Sequence, residues 1–536
     1  MNIEVEAISN EIIKPSYPTP KNLERYKLSL LDQSSPKFYN PLVFYYTKKN
    51  TTTIINPAII LKRSLSAILT HYYPLAGRLE KHGQFIHCND EGVPFVETQV
   101  NGRLSHVMSN PIAQELDIFC PLISRHDESD DAHQILFAAQ LNMFECGGIA
   151  VGISFSDKIA DALSWMKFVK TWALMARSGT TTMLPKSLHP EFVSSILFPP
   201  RPQSMIEAKT CVMKKGIITK IFVFNGFAIE ALRAMYSDKE NNIRPSRVET
   251  LSTFIISRFE AALSAATEVA KLKKERVYTI LHTVNLHPRM NPPLAENSFG
   301  NFLVFAGTHI PASSINGEAS ITNGIVKKIR EAIKKVNKEY LDKLQKGEED
   351  EQLSMIEQSS KKIEKSGGEV IEFQVTSLSR FHFYEMDFGW GKPDWNSTAA
   401  WNFDKIIAFF DTNDGDGIEA YVSLKEEDMA KFEADKQLRT TASCTVDATT
   451  VTVKHNHLTS CIDRAIESHC RRRSLSSWWS PGLVDRDWGE EEVRVLGFGA
   501  WEFWVSGFWV SWSVGGSDAA QGGRGWLSAL GFARVC

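Results

Sequence analysis

The order of apolar and polar residues predicts alternating strands and helices along the chain. Ile3, Val5 and Ile8 alternate with polar residues, as in an opening strand, and residues 148–154 are almost continuously apolar, as in a buried strand. Apolar residues at spacings of three and four predict helices over residues 61–72 and 159–172, and Pro74 ends the first of them.

The second half repeats this alternation. We expect a strand over residues 221–224, a helix over 227–235 and a long amphipathic helix over 325–344. Strands that alternate with helices in both halves indicate an α/β fold.

Two segments interrupt these patterns. Prolines are dense in residues 184–202, which discourages regular structure and favours a crossover between domains. Residues 346–368 are charged and poor in large apolar side chains, so we expect a mobile surface segment there. The predicted organisation is an N-terminal domain over 1–183, a linker over 184–217, a C-terminal domain over 218–439 and an atypical tail over 440–536.

Composition narrows the class of protein. The chain has 536 residues and a net charge of −3, which permits two or three domains and gives no basic surface for a nucleic acid. Its N-terminus lacks the apolar run of a secretory signal. The eight cysteines include no Cys-x-x-Cys pair, which favours free thiols in the cytosol and no metal site.

The tail differs from the rest of the chain. From Thr440 onward it has one lysine against eight arginines, and eight of the 13 tryptophans lie in the last 59 residues. We interpret it as the product of a mis-set reading frame or a retained intron, or as disordered. The alternative is a membrane-seeking segment over residues 496–514, whose length of 19 residues, mainly apolar and aromatic, approaches the roughly 20 that span a bilayer, although Glu502, Ser506 and Gly507 lie near its middle. From the core we expect no membrane association.

Candidate chemistry centres on the run from Gly152 to Ser164, which contains Asp157-Lys158-Ile159-Ala160-Asp161. Five further segments accompany it in order along the chain: Leu28-Ser29-Leu30-Leu31-Asp32, the run from Tyr73 to Leu79, the run from Pro245 to Ser252, the run from Val284 to Asn301, and Asp387-Phe388-Gly389-Trp390-Gly391. Together they resemble the plant BAHD acyl-CoA-dependent acyltransferases, in particular the vinorine-synthase-like branch. In that family the central motif is His-x-x-x-Asp, whereas this chain has Asp157 in place of the histidine.

The resemblance implies a two-domain, chloramphenicol-acetyltransferase-like α/β fold with a channel between the domains. Acyl-CoA, most often acetyl-CoA, enters one end as co-substrate, and a small-molecule alcohol, such as an alkaloid, enters the other. The motif residue takes the proton of the acceptor. No permanently bound cofactor or metal is implied, and a cytoplasmic monomer is expected.

The resemblance also implies roles for other residues. Asp161 would point away from the channel and pair with an arginine, for which Arg289 is the candidate, although the family usually has its arginine where His287 stands. Asp387, Gly389, Trp390 and Gly391 would support the site structurally, with Trp390 as a buried anchor. Acyl-CoA would contact Ser252 and the strand with Thr376 and Ser377. Phe38, Phe299 and Phe302 are candidate channel walls or, more simply, core residues. His282 and His287 are the nearest substitutes in the sequence for the missing base, but surface or packing positions are the better interpretation of both.

Asp157 leaves the activity open. The reference pKa of a carboxylate is about 3.9 and that of imidazole about 6.5, so Asp157 is the weaker base unless burial or Asp161 raises its pKa. A general base contributes typically 10²–10⁴-fold, so its loss leaves a slow enzyme. Three hypotheses remain: an active acyltransferase, an inactive homologue that keeps the channel, and an unrelated protein with a similar fold.

Other chemistries find less support. His455, His457, Cys461, His469 and Cys470 fit no standard zinc spacing. Residues 411–417 resemble part of a calcium loop, but its twelfth position is Val422 rather than glutamate, so a turn between strands is the better interpretation.

Overall fold

The computed structural model describes most of the first 444 residues and two short segments of the tail. The described residues are 3–48, 56–121, 135–179, 184–202, 215–238, 244–267, 276–315, 319–348, 351–444, 500–505 and 508–513. None of the described helices is long and apolar enough to cross a membrane. Within the same residues, no group of three or more His, Cys, Asp and Glu side chains could hold a metal ion.

The described residues of the first half form eight strands and five α-helices. Strands β1 to β8 are Glu4–Ile13, Arg25–Lys27, Tyr39–Tyr46, Arg78–Leu79, Phe85–His87, Val93–Asn101, Phe137–Phe144 and Ile149–Ser156. Helices α1 to α5 are Leu30–Ser34, Pro57–Leu69, Leu104–Ser109, Ala162–Ser178 and Ser194–Leu197.

The part of the second half that the structure describes, up to residue 444, forms the next eight strands and seven α-helices. Strands β9 to β16 are Ile217–Phe224, Arg276–Asn285, Leu303–Pro311, Glu369–Ser377, Trp395–Ser397, Ile406–Asp411, Ile418–Lys425 and Ser443–Cys444. Helices α6 to α12 are Gly226–Met235, Arg247–Thr267, Ala319–Lys335, Lys338–Gln345, Glu351–Lys365, Glu426–Ala434 and Lys436–Thr441.

Two mixed sheets organise the molecule. The first has the order β1-β6-β7-β8-β3-β13, in which β6 and β7 are parallel and the other pairs antiparallel. The second has the order β11-β10-β12-β14-β15-β9-β16, with β12 parallel to both β10 and β14. Strand β13 belongs to the second half of the chain but pairs with β3 at the edge of the first sheet, so this sheet contains residues of both halves.

Each half has its own apolar core. In the first half α2 packs against α4, and the rings of Trp165 and Trp172 in α4 are completely buried in the apolar core. In the second half α7 supplies Leu251, Phe254 and Ile255 to a core that also includes β12 and β14. These layers confirm the predicted α/β class.

Most predicted elements are present, with shifted ends. The opening strand is β1, the first predicted helix is α2, the buried strand is β8, and the predicted turn at residues 411–417 joins the antiparallel pair β14 and β15. The proline-rich crossover contains only short helical turns between residues 184 and 202.

Two element predictions are wrong. The single helix expected over 325–344 is divided into α8 and α9, because Asn337 is extended and its side chain caps α9 by accepting the backbone N–H of Tyr340 at 3.0 Å. The segment expected to be mobile over 346–368 contains helix α10, whose Ile356 side chain fills the space above Gly307 of β11.

The second sheet extends a few residues beyond Thr440, the predicted start of the tail. Strand β16 pairs with β9, Ser443 opposite Val223 and Cys444 opposite Phe222, so the second sheet continues to residue 444. Two further strands, β17 (Ala500–Val505) and β18 (Phe508–Ser513), form an antiparallel hairpin within the proposed membrane-seeking segment. The remaining predictions for the tail, including the histidine and cysteine cluster, lie outside the described residues.

Candidate active site

The central motif occupies the junction between β8 and α4. Strand β8 ends at Ser156, and Asp161 is the N-cap of α4, where its Oδ1 accepts the backbone N–H of Ser164 at 2.9 Å. An aspartate at this position satisfies a helix N–H group that has no partner within the helix and interacts favourably with the helix dipole. The four residues from Asp157 to Ala160 therefore form a tight, largely buried connection.

Asp161 also ties the two halves together. Its Oδ2 accepts the backbone N–H of Phe302 at 2.9 Å, and its own N–H donates to the Gly300 carbonyl at 3.2 Å. The Ser164 hydroxyl adds a bond to the same carbonyl at 2.9 Å. Asp161 is only 6% exposed, and its buried carboxylate accepts one backbone N–H of its own helix and one from the second half.

The predicted pairing of Asp161 with Arg289 is wrong. The Arg289 guanidinium donates to the carbonyl oxygens of Val336 at 2.8 Å and Ile333 at 3.4 Å. These carbonyls lie in the last turn of α8 and just beyond it, where the negative end of the helix dipole attracts a cation; the Ile333 carbonyl also accepts the Val336 N–H at 3.3 Å. The partners of the Asp161 carboxylate are backbone N–H donors, those of Ser164 and Phe302, which a search for charged partners in the sequence does not consider.

Asp157 lies at the end of β8 beside the neighbouring strand β3. Its backbone N–H donates to the Phe38 carbonyl at 3.0 Å, and its Oδ1 accepts the Asn40 side-chain amide. Its backbone carbonyl accepts the Asn301 amide at 2.8 Å. The residue lies in the interior but retains accessible surface toward a cavity.

The surroundings raise the pKa of Asp157. Burial is the main cause, the Asn40 hydrogen bond and the Lys158 charge oppose it, Asp161 adds to it, and the resulting pKa is about 7. Burial also lowers the pKa of Lys158 to about 8. The Lys158 ammonium does not contact Asp157 but donates to the carbonyl oxygens of Gln33 at 2.8 Å and Ser35 at 2.7 Å. A carboxyl group with a pKa near 7 meets the usual requirement for a general base, whose pKa should lie close to the working pH.

Several residues that hold the motif were not assigned to the site from the sequence. Asp32 forms a capping box with Ser29 at the start of α1, and its Oδ1 accepts both the backbone and side-chain N–H groups of Asn301, at 3.0 and 2.9 Å. Asp32 and Asn301 stand inside segments that carried the family resemblance, which was the available signal. Asn40 had no such signal.

A cavity of about 410 Å³ opens in front of Asp157. Both halves line it, mainly with apolar side chains that include Leu31, Phe38, Met166, Leu303, Phe305 and Phe403. Polar groups are fewer and include Asn40, Asp157, Thr283, Asn301 and Thr376. A cavity of this size with few polar groups suits an apolar molecule whose reacting group is held by specific contacts.

The three residues expected to bind acyl-CoA, Ser252, Thr376 and Ser377, occupy different positions in the structure. Thr376 lines the cavity and accepts the Thr283 hydroxyl at 3.1 Å. Ser377 is half-buried at the end of β12, where its hydroxyl accepts the backbone N–H of Ser379. Ser252 is completely buried in α7, where its hydroxyl donates to the Val248 carbonyl at 2.7 Å and contacts His282 Nε2 at 3.1 Å. That packing removes Ser252 from the cavity, and His282, whose pKa burial lowers to about 4, is a core residue.

Three more side chains have structural rather than cavity positions. Phe299 packs among Tyr72 and Trp165, and Phe302 packs edge-on against His287 with ring centroids 5.0 Å apart. His287 is 8% exposed, and no described residue accepts or donates a hydrogen bond at its buried Nε2. Of the three phenylalanines considered as walls, Phe38 lines the cavity.

Asp387 supports a loop at the opposite end of α4. Its Oδ1 accepts the backbone N–H groups of Gly389 and Gly391, both at 2.9 Å, and its Oδ2 lies 3.5 Å from Arg177 in the last turn of α4. Burial acts to raise its pKa, but these contacts hold it below the usual value. Sixteen residues of helix separate Arg177 from Asp161, about 24 Å at 1.5 Å per residue.

Two aromatic residues beside Asp387, Phe388 and Trp390, anchor its loop. Trp390 is half-buried and stacks on Phe388, whereas Phe388 is completely buried and packs against Trp172 of α4. The fully buried anchor is therefore Phe388 rather than the predicted Trp390, because the larger ring lies over the smaller one at the surface.

Comparison with known proteins gives this geometry a family. A model of the Transferase family matches residues 3–439. Limonoid 21-O-acetyltransferase of Melia azedarach is 36% identical over 438 residues, which cover 81% of this chain and 97% of the relative. Stemmadenine O-acetyltransferase of Catharanthus roseus is 31% identical over 438 residues, with the same two shares of 81% and 97%.

Solved structures agree with the sequence relatives. The crystal structure of vinorine synthase matches with a TM-score of 0.66 and 31% identity, covering 80% of this chain and 96% of that chain. F. sporotrichioides TRI101 in complex with coenzyme A and T-2 matches at 15% identity with a TM-score of 0.58, covering 79% of this chain and 100% of that chain, and supports the fold alone. The predicted two-domain α/β fold is confirmed, and the chain belongs to the Transferase family, the BAHD acyl-CoA-dependent acyltransferases.

Proposed function

We propose that this protein transfers an acetyl group from acetyl-CoA to a hydroxyl group of a plant specialised metabolite, with Asp157 as the general base. The observation that carries this proposal is the position of Asp157: its carboxyl group faces the cavity from the family's base position and has a pKa of about 7. The proposal includes acyl-CoA as co-substrate, a monomer and a cytosolic location, as expected from the sequence.

In the proposed reaction, Asp157 accepts the proton of the acceptor hydroxyl as its oxygen attacks the thioester carbonyl. The new C–O bond forms, the C–S bond breaks, and the proton passes from Asp157 to the departing thiolate of CoA. Thr376 and Thr283 lie on the wall contributed by β12 and β10, where their hydroxyl groups can orient a polar part of either substrate.

The acceptor class follows from the lining of the cavity. Aromatic and aliphatic walls favour a rigid, largely apolar skeleton that presents one hydroxyl to Asp157. The relatives are named for acetyl transfer to limonoids and to stemmadenine, which gives a panel of polycyclic triterpenoid and alkaloid alcohols to test.

The alternative function is a homologue that binds acyl-CoA and acceptor without turnover. It is favoured by Asp157 itself, since an aspartate side chain is shorter than histidine and must reach further to take the proton. Substitution of Asp157 by histidine discriminates between the two functions.

The experiment measures CoA thiol release by the full-length wild type, Asp157→Asn and Asp157→His with the acceptor panel, with acetyl-CoA binding followed by calorimetry in parallel. The proposal predicts turnover by the wild type and a 10²–10⁴-fold loss in Asp157→Asn. Acetyl-CoA binding without wild-type turnover, combined with a gain of about 100-fold or more in Asp157→His, would support the inactive homologue instead.

A further inference from the structure

Asp157 is flanked by Asn40 of β3 and by Phe38, which lies directly before this strand. Asn40 lies opposite Phe155 in the antiparallel register of β3 and β8. Phe38, two residues earlier, holds the Asp157 backbone through its carbonyl oxygen. Both Phe38 and Asn40 line the cavity.

The side-chain contact adds direction to this arrangement. The Asn40 amide donates to Oδ1 of Asp157, and no other described residue donates a hydrogen bond to this carboxyl group. We propose that Asn40 is a positioning residue that fixes the Asp157 carboxyl through Oδ1 and leaves Oδ2 directed at the acceptor. This inference rests on the proposed role of Asp157 as general base.

A neutral amide is well suited to this task. It stabilises the ionised carboxyl, yet it brings no charge that would suppress basicity as a contacting lysine or arginine would. The nearest cation, Lys158, is turned toward the carbonyl oxygens of Gln33 and Ser35. The other charged groups nearby are Asp161, which acts on both Asp157 and His287, and Asp32 and Lys37, which act on Lys158.

The test follows the protonation of Asp157 without any acceptor. Infrared difference spectra of the full-length protein are recorded as a function of pH, and the spectra of Asp157→Asn are subtracted to isolate this carboxyl group. In Asn40→Leu the charged form loses its donor, so its titration midpoint should rise by about 1–2 pH units. An unchanged or lowered midpoint would overturn the inference.

Two further variants guard the interpretation. Thr283→Val removes a hydroxyl from the part of the cavity lining contributed by β10 without touching Asp157, and its midpoint should equal that of the wild type. Asn40→Ala replaces Asn40→Leu if the larger side chain prevents folding, and the same upward shift is expected.

A kinetic readout separates positioning from simple packing. With any acceptor that the wild type acetylates, the acid limb of kcat/KM should move upward together with the spectroscopic midpoint. Loss of activity in Asn40→Leu with no shift of the limb would mean that Asn40 only packs against the site. Because the titration requires no turnover, it can support or refute the role of Asn40 even if acetyl transfer itself is not observed.

Discussion

Asp157 affects stability as well as chemistry. Its folded pKa of about 7 lies above the ordinary value of 3.8, so the folded state binds this proton more tightly than the unfolded state. Between these two values the folded protein holds more protons, and stability therefore falls as pH rises. Above pH 7 the full cost of a buried carboxylate is present.

The residue-scale prediction from this sign is that Asp157→Asn stabilises the protein. We expect a gain in the free energy of unfolding on the order of 1–3 kcal/mol at pH 8 and a smaller gain at pH 5. Urea unfolding of wild type and variant at both pH values measures it. A gain that is equal at the two pH values would contradict the raised pKa.

Asp161 is predicted to contribute to stability independently of Arg289. Asp161→Ala removes a helix cap and the acceptor for Phe302 N–H, and should cost about 1–3 kcal/mol. In a double-mutant cycle with Arg289→Ala, the coupling energy should stay within about 0.5 kcal/mol. A substantially larger favourable coupling energy would indicate a direct ion pair between Asp161 and Arg289, contrary to the backbone contacts that both side chains make in the structure.

At the scale of elements, α10 shows how charge can conceal a helix. Its apolar residues Leu353, Ile356 and Ile363 are partly buried, and Ser360 contacts Thr279 of β10 at 3.5 Å. These few apolar positions lie among many exposed charges, so average composition suggested mobility, although a spacing of three and seven follows one helical face.

Hydrogen exchange tests this helix directly. Peptides covering residues 353–365 should take up deuterium slowly, because their amides are bonded within a helix that packs on the second sheet. Exchange of the whole segment at the intrinsic rate of an unfolded chain would contradict the presence of this helix in solution.

At the scale of the whole molecule, the end of the second sheet determines where the chain can be shortened. Truncation after Thr450 retains all of α12 and β16, whereas truncation after Gln437 removes most of α12 and the pairing of β16 with β9. We expect the shorter protein to have a lower Tm than the one ending at Thr450. Equal Tm values would show that β16 adds nothing to stability.

The sequence predicted the fold and the location of the site better than the partners within the site. Periodicity identified β8 and α4, and the ordered motifs identified Asp157. The contacts of Asp161 and Arg289 depend on which unpaired backbone groups the fold brings near them, here Phe302 N–H and the last carbonyls of α8. The role of Asn40 depends on the register of β3 and β8, which neighbouring residues in sequence do not encode.

The most direct test of the account is the pH dependence of acetyl transfer by the full-length wild type and Asp157→Asn. If Asp157 is the general base, kcat/KM of the wild type rises with pH through a midpoint near 7, where its carboxyl group loses the proton. In Asp157→Asn that limb disappears and the rate at pH 8 falls by about 10²–10⁴-fold. An unchanged rate and limb in the variant would contradict the central claim.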